Sequence, residues 1–90
     1  MPTVQFTSNL KRFYPDLREI NIHAQTISQL IENINMKYPG IKNYIIDDQS
    51  ILRNHVNIFV NETMIKDRIK LQDKIYENDN IFIMQALSGG

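Results

Sequence analysis

One stretch of this chain, and only one, repeats apolar residues at helical spacing: Ile27, Leu30, Ile31, Ile34 and Tyr38. A lone amphipathic helix cannot cover its own apolar stripe, so the segments around it, which alternate with the period of a strand, have to supply a sheet for it to lie on. Thr26 with Gln29 three residues later has capping-box chemistry, and Pro39-Gly40 ends the run. The spacing predicts one main helix of about three turns.

Val4 and Phe6 alternate with Thr3, Gln5 and Thr7 and predict a first strand ending near Ser8-Asn9. After a polar connection containing Pro15-Asp16, Ile20, Ile22 and Ala24 alternate with Glu19, Asn21, His23 and Gln25, which predicts a second strand able to pair with the first as a hairpin. From Ile41 to Asn54 the pattern is irregular, and a crossing segment with a surface loop at Asp47-Asp48-Gln49-Ser50 is expected. Val56, Ile58 and Val60 form the buried set of the next strand, with Asn61-Glu62-Thr63 as turn residues before Met64-Ile65. Leu71 and Ile75 are expected to plug the core from a compact turn, and Ile81 and Ile83 alternate with Phe82 and Met84 in a last strand after Glu77-Asn78-Asp79-Asn80. The order is β-β-α-β-β-β. It predicts an α+β fold, a mixed sheet of about four to five strands on one helix, with residues 1–86 as the domain and 87–90 as a tail.

Ninety residues allow one core and no second domain. Ten Lys and Arg against ten Asp and Glu argue against a general nucleic-acid or membrane-surface binder. The basic pairs around Lys11-Arg12 and Lys66 to Lys70 are interrupted by Asp16, Asp67 and Asp73 and read as solvated faces. The chain has no cysteine, hence no disulfide, thiolate metal site or sulfur nucleophile. His23 and His55 lack metal-ligand spacing, Asp47-Asp48 reads as loop acid, and no phosphate loop or nucleophile elbow appears, so neither a catalytic residue nor a metal site is expected within the chain. With no leader-like start and no stretch approaching a membrane span, the expected compartment is the cytoplasm.

The sequence closes on Leu87-Ser88-Gly89-Gly90. Two glycines make a thin tail, free in φ, that can enter a narrow tunnel; taken alone they read equally as a frayed end or a cloning scar. A hairpin, one helix, further strands and a free Gly-Gly end together resemble ubiquitin and its prokaryotic relatives, the β-grasp sulfur carriers of molybdopterin, thiamine and cysteine biosynthesis. The residues that carry the resemblance are Val56-Asn57-Ile58-Phe59-Val60-Asn61, the acidic turn at Glu77 to Asn80, the strand Ile81 to Met84 and the ending Ala86 to Gly90. The length and the insertion before Val56 look most like the cysteine-forming carriers. Two positions depart from the family's habit: Asn78 stands where a glycine is usual in the last turn, and Gln85 where a proline often precedes the tail. Asparagine tolerates a left-handed backbone, so the turn is expected to survive; losing proline is expected to leave the tail less stiff.

The resemblance implies a protein cosubstrate, not a catalyst. An ATP-dependent, E1-like adenylyltransferase would activate the Gly90 carboxylate, and a sulfur donor enzyme or sulfide would convert the adenylate to a thiocarboxylate. An acceptor, either a pyridoxal-phosphate-dependent cysteine synthase or, second, the large subunit of molybdopterin synthase, would take the sulfur. The carrier itself would bind no cofactor. Gly89 would give access, and Ser88 and Leu87 would seat the tail, although Leu87 could equally cover the core edge. Phe59, Phe82 and Met84 fall on the strand face opposite the predicted core and form a candidate partner-docking patch, unless helix or loop residues cover them. Two other fates share the same residues: conjugation of Gly90 to a lysine as a protein modifier, or a ubiquitin-like interaction domain that never uses its tail.

Overall fold

The computed structural model describes residues 1–86. Leu87, Ser88, Gly89 and Gly90, the residues assigned to the tail, lie outside them. The elements are β1 (Thr3–Phe6), α1 (Ser8–Lys11), β2 (Ile20–Asn21), α2 (Ile27–Lys37), α3 (Lys42–Ile45), β3 (Val56–Val60), β4 (Thr63–Met64) and β5 (Asn80–Gln85). The strands form one sheet in the order β2-β1-β5-β3-β4. The central pair β1 and β5 is parallel, and the other pairs are antiparallel. The expected order of strands and main helix holds; the single-turn helices α1 and α3 were not legible, because neither spans enough residues to show a period.

α2 buries Ile27, Leu30, Ile31 and Ile34, four of the five residues of the predicted stripe, in one core with Val4, Ile58, Ile81 and Ile83 from the sheet, while the fifth, Tyr38, caps the helix end and is half-buried against that core. Its start is capped as the sequence suggests: Thr26 Oγ1 accepts from Gln29 N at 3.2 Å, while Gln29 Oε1 reaches past the cap to accept from Gln25 N at 2.6 Å. Further orphan amides at this end are taken by the loop before β5, with Ile27 N donating to Asp73 O and Ser28 N to Leu71 O. That loop is the compact turn expected to plug the core, and Leu71 and Ile75 are both buried in it. Leu71 sits at φ 57°, a left-handed backbone that costs a branched side chain free energy. Two carboxylates hold it there: Asp67 accepts from Ile69, Lys70 and Gln72 backbone N–H groups, and Asp73 accepts from Lys66 and Asp67.

At its other end, Gly40 turns the chain with φ +93°, and a Cβ there would lie 2.9 Å from the Tyr14 hydroxyl. Tyr14 donates to Pro39 O at 3.0 Å, and burial, with Tyr44 beside it, raises its hydroxyl pKa above the usual 10.0. The irregular segment after Gly40 is more ordered than its pattern suggests. Ile41, the N-cap of α3, and Ile45 within it enter the core, and a bridge between Ile46 and Leu52 closes a tight turn around the expected Asp47 to Ser50 loop.

One expectation about a turn changes. Asn78 does not take a left-handed backbone; the turn closes instead with Asp79 N donating to Tyr76 O and the Asp79 carboxylate accepting from Tyr76 N. Two left-handed residues lie across from it, Asn61 at φ 49° and Glu62 at φ 74°, as the two central positions of the β3–β4 hairpin. Asn61 then joins the two turns, donating to Asp79 Oδ1 and accepting from Asn80 N, each at 2.8 Å.

Candidate functional site: the outer sheet face and the root of the tail

In β3 and β5 the side chains that do not enter the core point away from α2. Val56, Ile58, Ile81 and Ile83 are buried, and between them Phe59, Phe82 and Met84 are half-buried on the outer face. Register brings them together, with Phe59 opposite Phe82 and Asn57 opposite Met84. The two phenyl rings lie 6.5 Å apart between centroids, tilted by 31°.

The same register extends the row on both sides. Met64 lies opposite Phe59 and Gln5 opposite Phe82, so Met64, Phe59, Phe82 and Gln5 cross four strands in one line. Met64 is 47% exposed and was missed by the sequence reading, although the two-residue turn at Asn61-Glu62 fixes its pairing once both are given positive φ. Gln5 closes the row as a polar end, its amide donating to Glu19 Oε1 at 2.7 Å. An open groove of about 880 Å³ runs along this face, lined by Phe59, Phe82 and Met84 and rimmed by Asn61, Glu62 and Asn80. Of the alternatives left open for these side chains, no helix or loop among the described residues lies over them completely: each keeps part of its surface.

β5 leads from this face to the root of the tail. At 3.3 Å per residue, Ala86 stands about 13 Å along the chain from Phe82. There Ala86 N donates to His55 O at 2.8 Å, Gln85 N donates to Thr7 Oγ1 at 3.1 Å and Asn9 Nδ2 donates to Gln85 O at 2.8 Å. His55, a lone histidine in sequence, thus lies at the tail root with its Nε2 3.4 Å from the Gln85 side-chain nitrogen. Beside it Phe13 stacks on Tyr44 with centroids 4.7 Å apart. Thr7, Asn9 and His55 gave no signal in the sequence because their partners are seventy-odd or thirty residues away.

His23 is exposed, and its carbonyl accepts from Asn33. Among the described residues no three His, Asp or Glu side chains gather as a metal site. No helix among them is long and apolar enough to cross a membrane.

The arrangement, a helix on a mixed sheet with an apolar outer face leading to the chain's last residues, has close counterparts among known proteins. A sulfur carrier protein CysO from Mycobacterium bovis is 26% identical over 90 residues, covering 98% of this chain and 97% of that relative. The crystal structure of Mycobacterium tuberculosis CysO superposes with a TM-score of 0.83 at 24% identity, covering 97% of this chain and all of the other. The Amycolatopsis orientalis BexX/CysO complex contains a chain that superposes with a TM-score of 0.85 at 19% identity, covering 100% of both. The small archaeal modifier protein 1 of Methanosarcina acetivorans shares the fold with a TM-score of 0.80 at 23% identity, over 99% of this chain and 95% of that one. The model of the ThiS family matches residues 4–90, and the chain therefore belongs to the ThiS family of ubiquitin-like, β-grasp sulfur-carrier proteins.

Proposed function

We propose that this protein carries sulfur as a thiocarboxylate on Gly90 and acts as a cosubstrate rather than as a catalyst. The observation that carries the reading is the family match running through residue 90, which takes in Gly89 and Gly90. A carboxylate resists attack because oxide is a poor leaving group. The Gly90 carboxylate therefore attacks the α-phosphate of ATP in an E1-like adenylyltransferase, pyrophosphate leaves, and the resulting acyl adenylate has AMP as its leaving group. A sulfide or persulfide sulfur then adds to the acyl carbon and AMP departs; from a persulfide, reductive cleavage of the S–S bond by a thiol releases the thiocarboxylate.

ATP belongs to the activating enzyme, and the carrier holds no cofactor. Phe59, Phe82 and Met84 dock the domain on the activating enzyme, with Gly89, Ser88 and Leu87 seating the tail. The resemblance to cysteine-forming carriers favours a pyridoxal-phosphate-dependent cysteine synthase as acceptor, ahead of the large subunit of molybdopterin synthase, and a setting in the cytoplasm where ATP is supplied.

The test is intact and C-terminal-peptide mass spectrometry after incubation with ATP, an activating enzyme from the same cell and a sulfur source. Oxygen-to-sulfur exchange confined to the last peptide, and absent from a chain lacking Gly90, is the expected result. No adduct, with the enzyme shown active on another carrier, would leave an interaction domain; attachment of Gly90 to a lysine would make the protein a modifier.

A further inference from the structure

Gln85 is the last residue of β5, and both of its backbone polar groups are taken by side chains from the turn that follows β1. Its N–H donates to Thr7 Oγ1 at 3.1 Å, and its carbonyl accepts from Asn9 Nδ2 at 2.8 Å. The parallel pairing of β1 with β5 runs from Thr3 opposite Asn80 to Phe6 opposite Ile83. Thr7 N adds one more backbone bond, to Ile83 O at 3.1 Å. Beyond that point Thr7 and Asn9 continue the ladder with their side chains, while on the opposite side Ala86 N donates to His55 O.

Thr7 is also the N-cap residue of α1, with an extended backbone at φ −70° and ψ 158°, yet its hydroxyl makes no cap bond. A cap hydroxyl ordinarily accepts from an amide of its own helix. This one accepts from a residue 78 positions away in sequence. The bond requires an N–H at position 85, which glutamine has and proline would lack.

We infer that Thr7 and Asn9 are positioning residues: they fix the direction in which the chain leaves the domain at Ala86 and so the path along which Gly90 is presented to the enzyme that processes it. The inference rests on the carrier reading above. Four residues beyond Ala86 span at most about 14 Å, so a swing at the root displaces the end by a comparable distance. Gln85 stays paired with Val56 and Ala86 with His55, so a root residue loosened on the β1 side regains part of its backbone freedom and must be ordered again on entering the enzyme, a penalty of up to about tenfold in rate per residue.

The experiment uses the full chain with Thr7→Val, Asn9→Ala, both together, and Thr7→Ser as the conservative variant that keeps the hydroxyl. Amide hydrogen exchange at Gln85 is expected to accelerate in the Val and Ala variants and to stay slow in Thr7→Ser. With the activating enzyme, kcat/KM for adenylation of Gly90 is expected to fall by up to about tenfold in each single variant and up to about a hundredfold in the double, with Thr7→Ser close to wild type. The same substitutions in a chain lacking Gly89 and Gly90 are expected to leave its affinity for the enzyme unchanged, since docking by the sheet face does not use the root.

Wild-type rates in folded Thr7→Val and Asn9→Ala overturn the inference, as does an equal loss of affinity in the shortened chains, which would make the two residues part of the docking surface. Where the double variant unfolds, folded Thr7→Val decides. Absence of any adduct on the wild-type chain, with the enzyme active on another carrier, overturns the carrier reading and the positioning role with it, an outcome distinct from normal wild-type reaction with unaffected variants.

Discussion

Phe59 on β3 and Phe82 on β5 stand directly opposite each other on the outer face of the sheet, their rings 6.5 Å apart, with Met64 and Gln5 completing the row across neighbouring strands. An aromatic cross-strand pair contributes about 0.5–1.5 kcal/mol beyond its burial, little enough for the domain to survive its loss. Phe82→Asp is therefore expected to fold while binding the activating enzyme about thirtyfold more weakly, the loss of one central anchor of about 2 kcal/mol. Circular dichroism with titration calorimetry checks both halves; an unfolded variant would show that Phe82 supports the core.

Met64 extends this row onto the edge strand β4, where it is more exposed than the phenylalanines. A residue at the rim of an interface contributes less than one at its centre. Met64→Glu is expected to weaken the same binding by less than tenfold, with no change in thermal midpoint. A loss as large as that of Phe82→Asp would move the centre of the docking face toward β4.

Arg68 ties the loop before β5 to the start of β3. Its half-buried guanidinium donates to Asn57 Oδ1, Arg53 O and Val56 O at 2.8 to 2.9 Å. Removing it takes the guanidinium donors from Val56 O and the Asn57 amide oxygen, while Arg53 O keeps its bond from Val56 N, so Arg68→Ala is expected to cost about 2 kcal/mol. Lysine cannot reproduce a planar fork with several donors, and Arg68→Lys is expected to recover less than half of that. Urea midpoints at an unchanged m-value measure both.

Asp67 makes the stability of the plugging loop depend on pH. Backbone N–H groups of Lys70 and Gln72, then Ile69, hold its carboxyl pKa below the usual 3.8, outweighing the opposing effect of desolvation. A carboxyl whose folded pKa is depressed contributes its stability above the unfolded value and loses it as pH falls through the folded value. Stability from this group is therefore expected to be complete above about pH 5 and to drain away below about pH 4. In Asp67→Asn the acid limb of a plot of unfolding midpoint against pH is expected to be shallower than in wild type. An identical limb would assign the acid sensitivity to other carboxylates.

Glu62 takes a left-handed backbone at φ 74° as the second central residue of the β3–β4 turn, where glycine is unstrained. Relief of about 1–2 kcal/mol of backbone strain, set against the greater freedom of glycine in the unfolded chain, gives an expected net gain of about 0.5 kcal/mol for Glu62→Gly. A small rise in thermal midpoint is the readout. A fall would mean that the Glu62 side chain supports the turn by contacts worth more than the strain.

How much of this was legible follows from the range of the forces involved. Patterns that repeat within one element were readable: the stripe of α2, its Thr26 cap, Val56 and Ile58 of the set that also named the half-buried Val60, the pair Ile81 and Ile83, and Leu71 and Ile75 as plugs. Each is set by periodicity or by a bond between residues a few positions apart. The ends were less so, since α1 and α3 are single turns held by their contacts, and Asn78 was credited with tolerating a left-handed backbone that the turn does not use, since it closes through the hydrogen bonds between Asp79 and Tyr76.

By itself, then, the sequence determined which residues of α2 and β5 face the core and that one main helix lies on a sheet, because burial within one element is written in residue type and spacing. Only the tertiary structure decided that Met64 joins Phe59 and Phe82 in one row, that Arg68 binds the strand entry, and that Thr7 and Asn9 hold Gln85. Those relationships depend on strand register and on hydrogen bonds between distant positions. Alternation along a single strand is the same for every register that keeps its face, so no local pattern could have chosen among them.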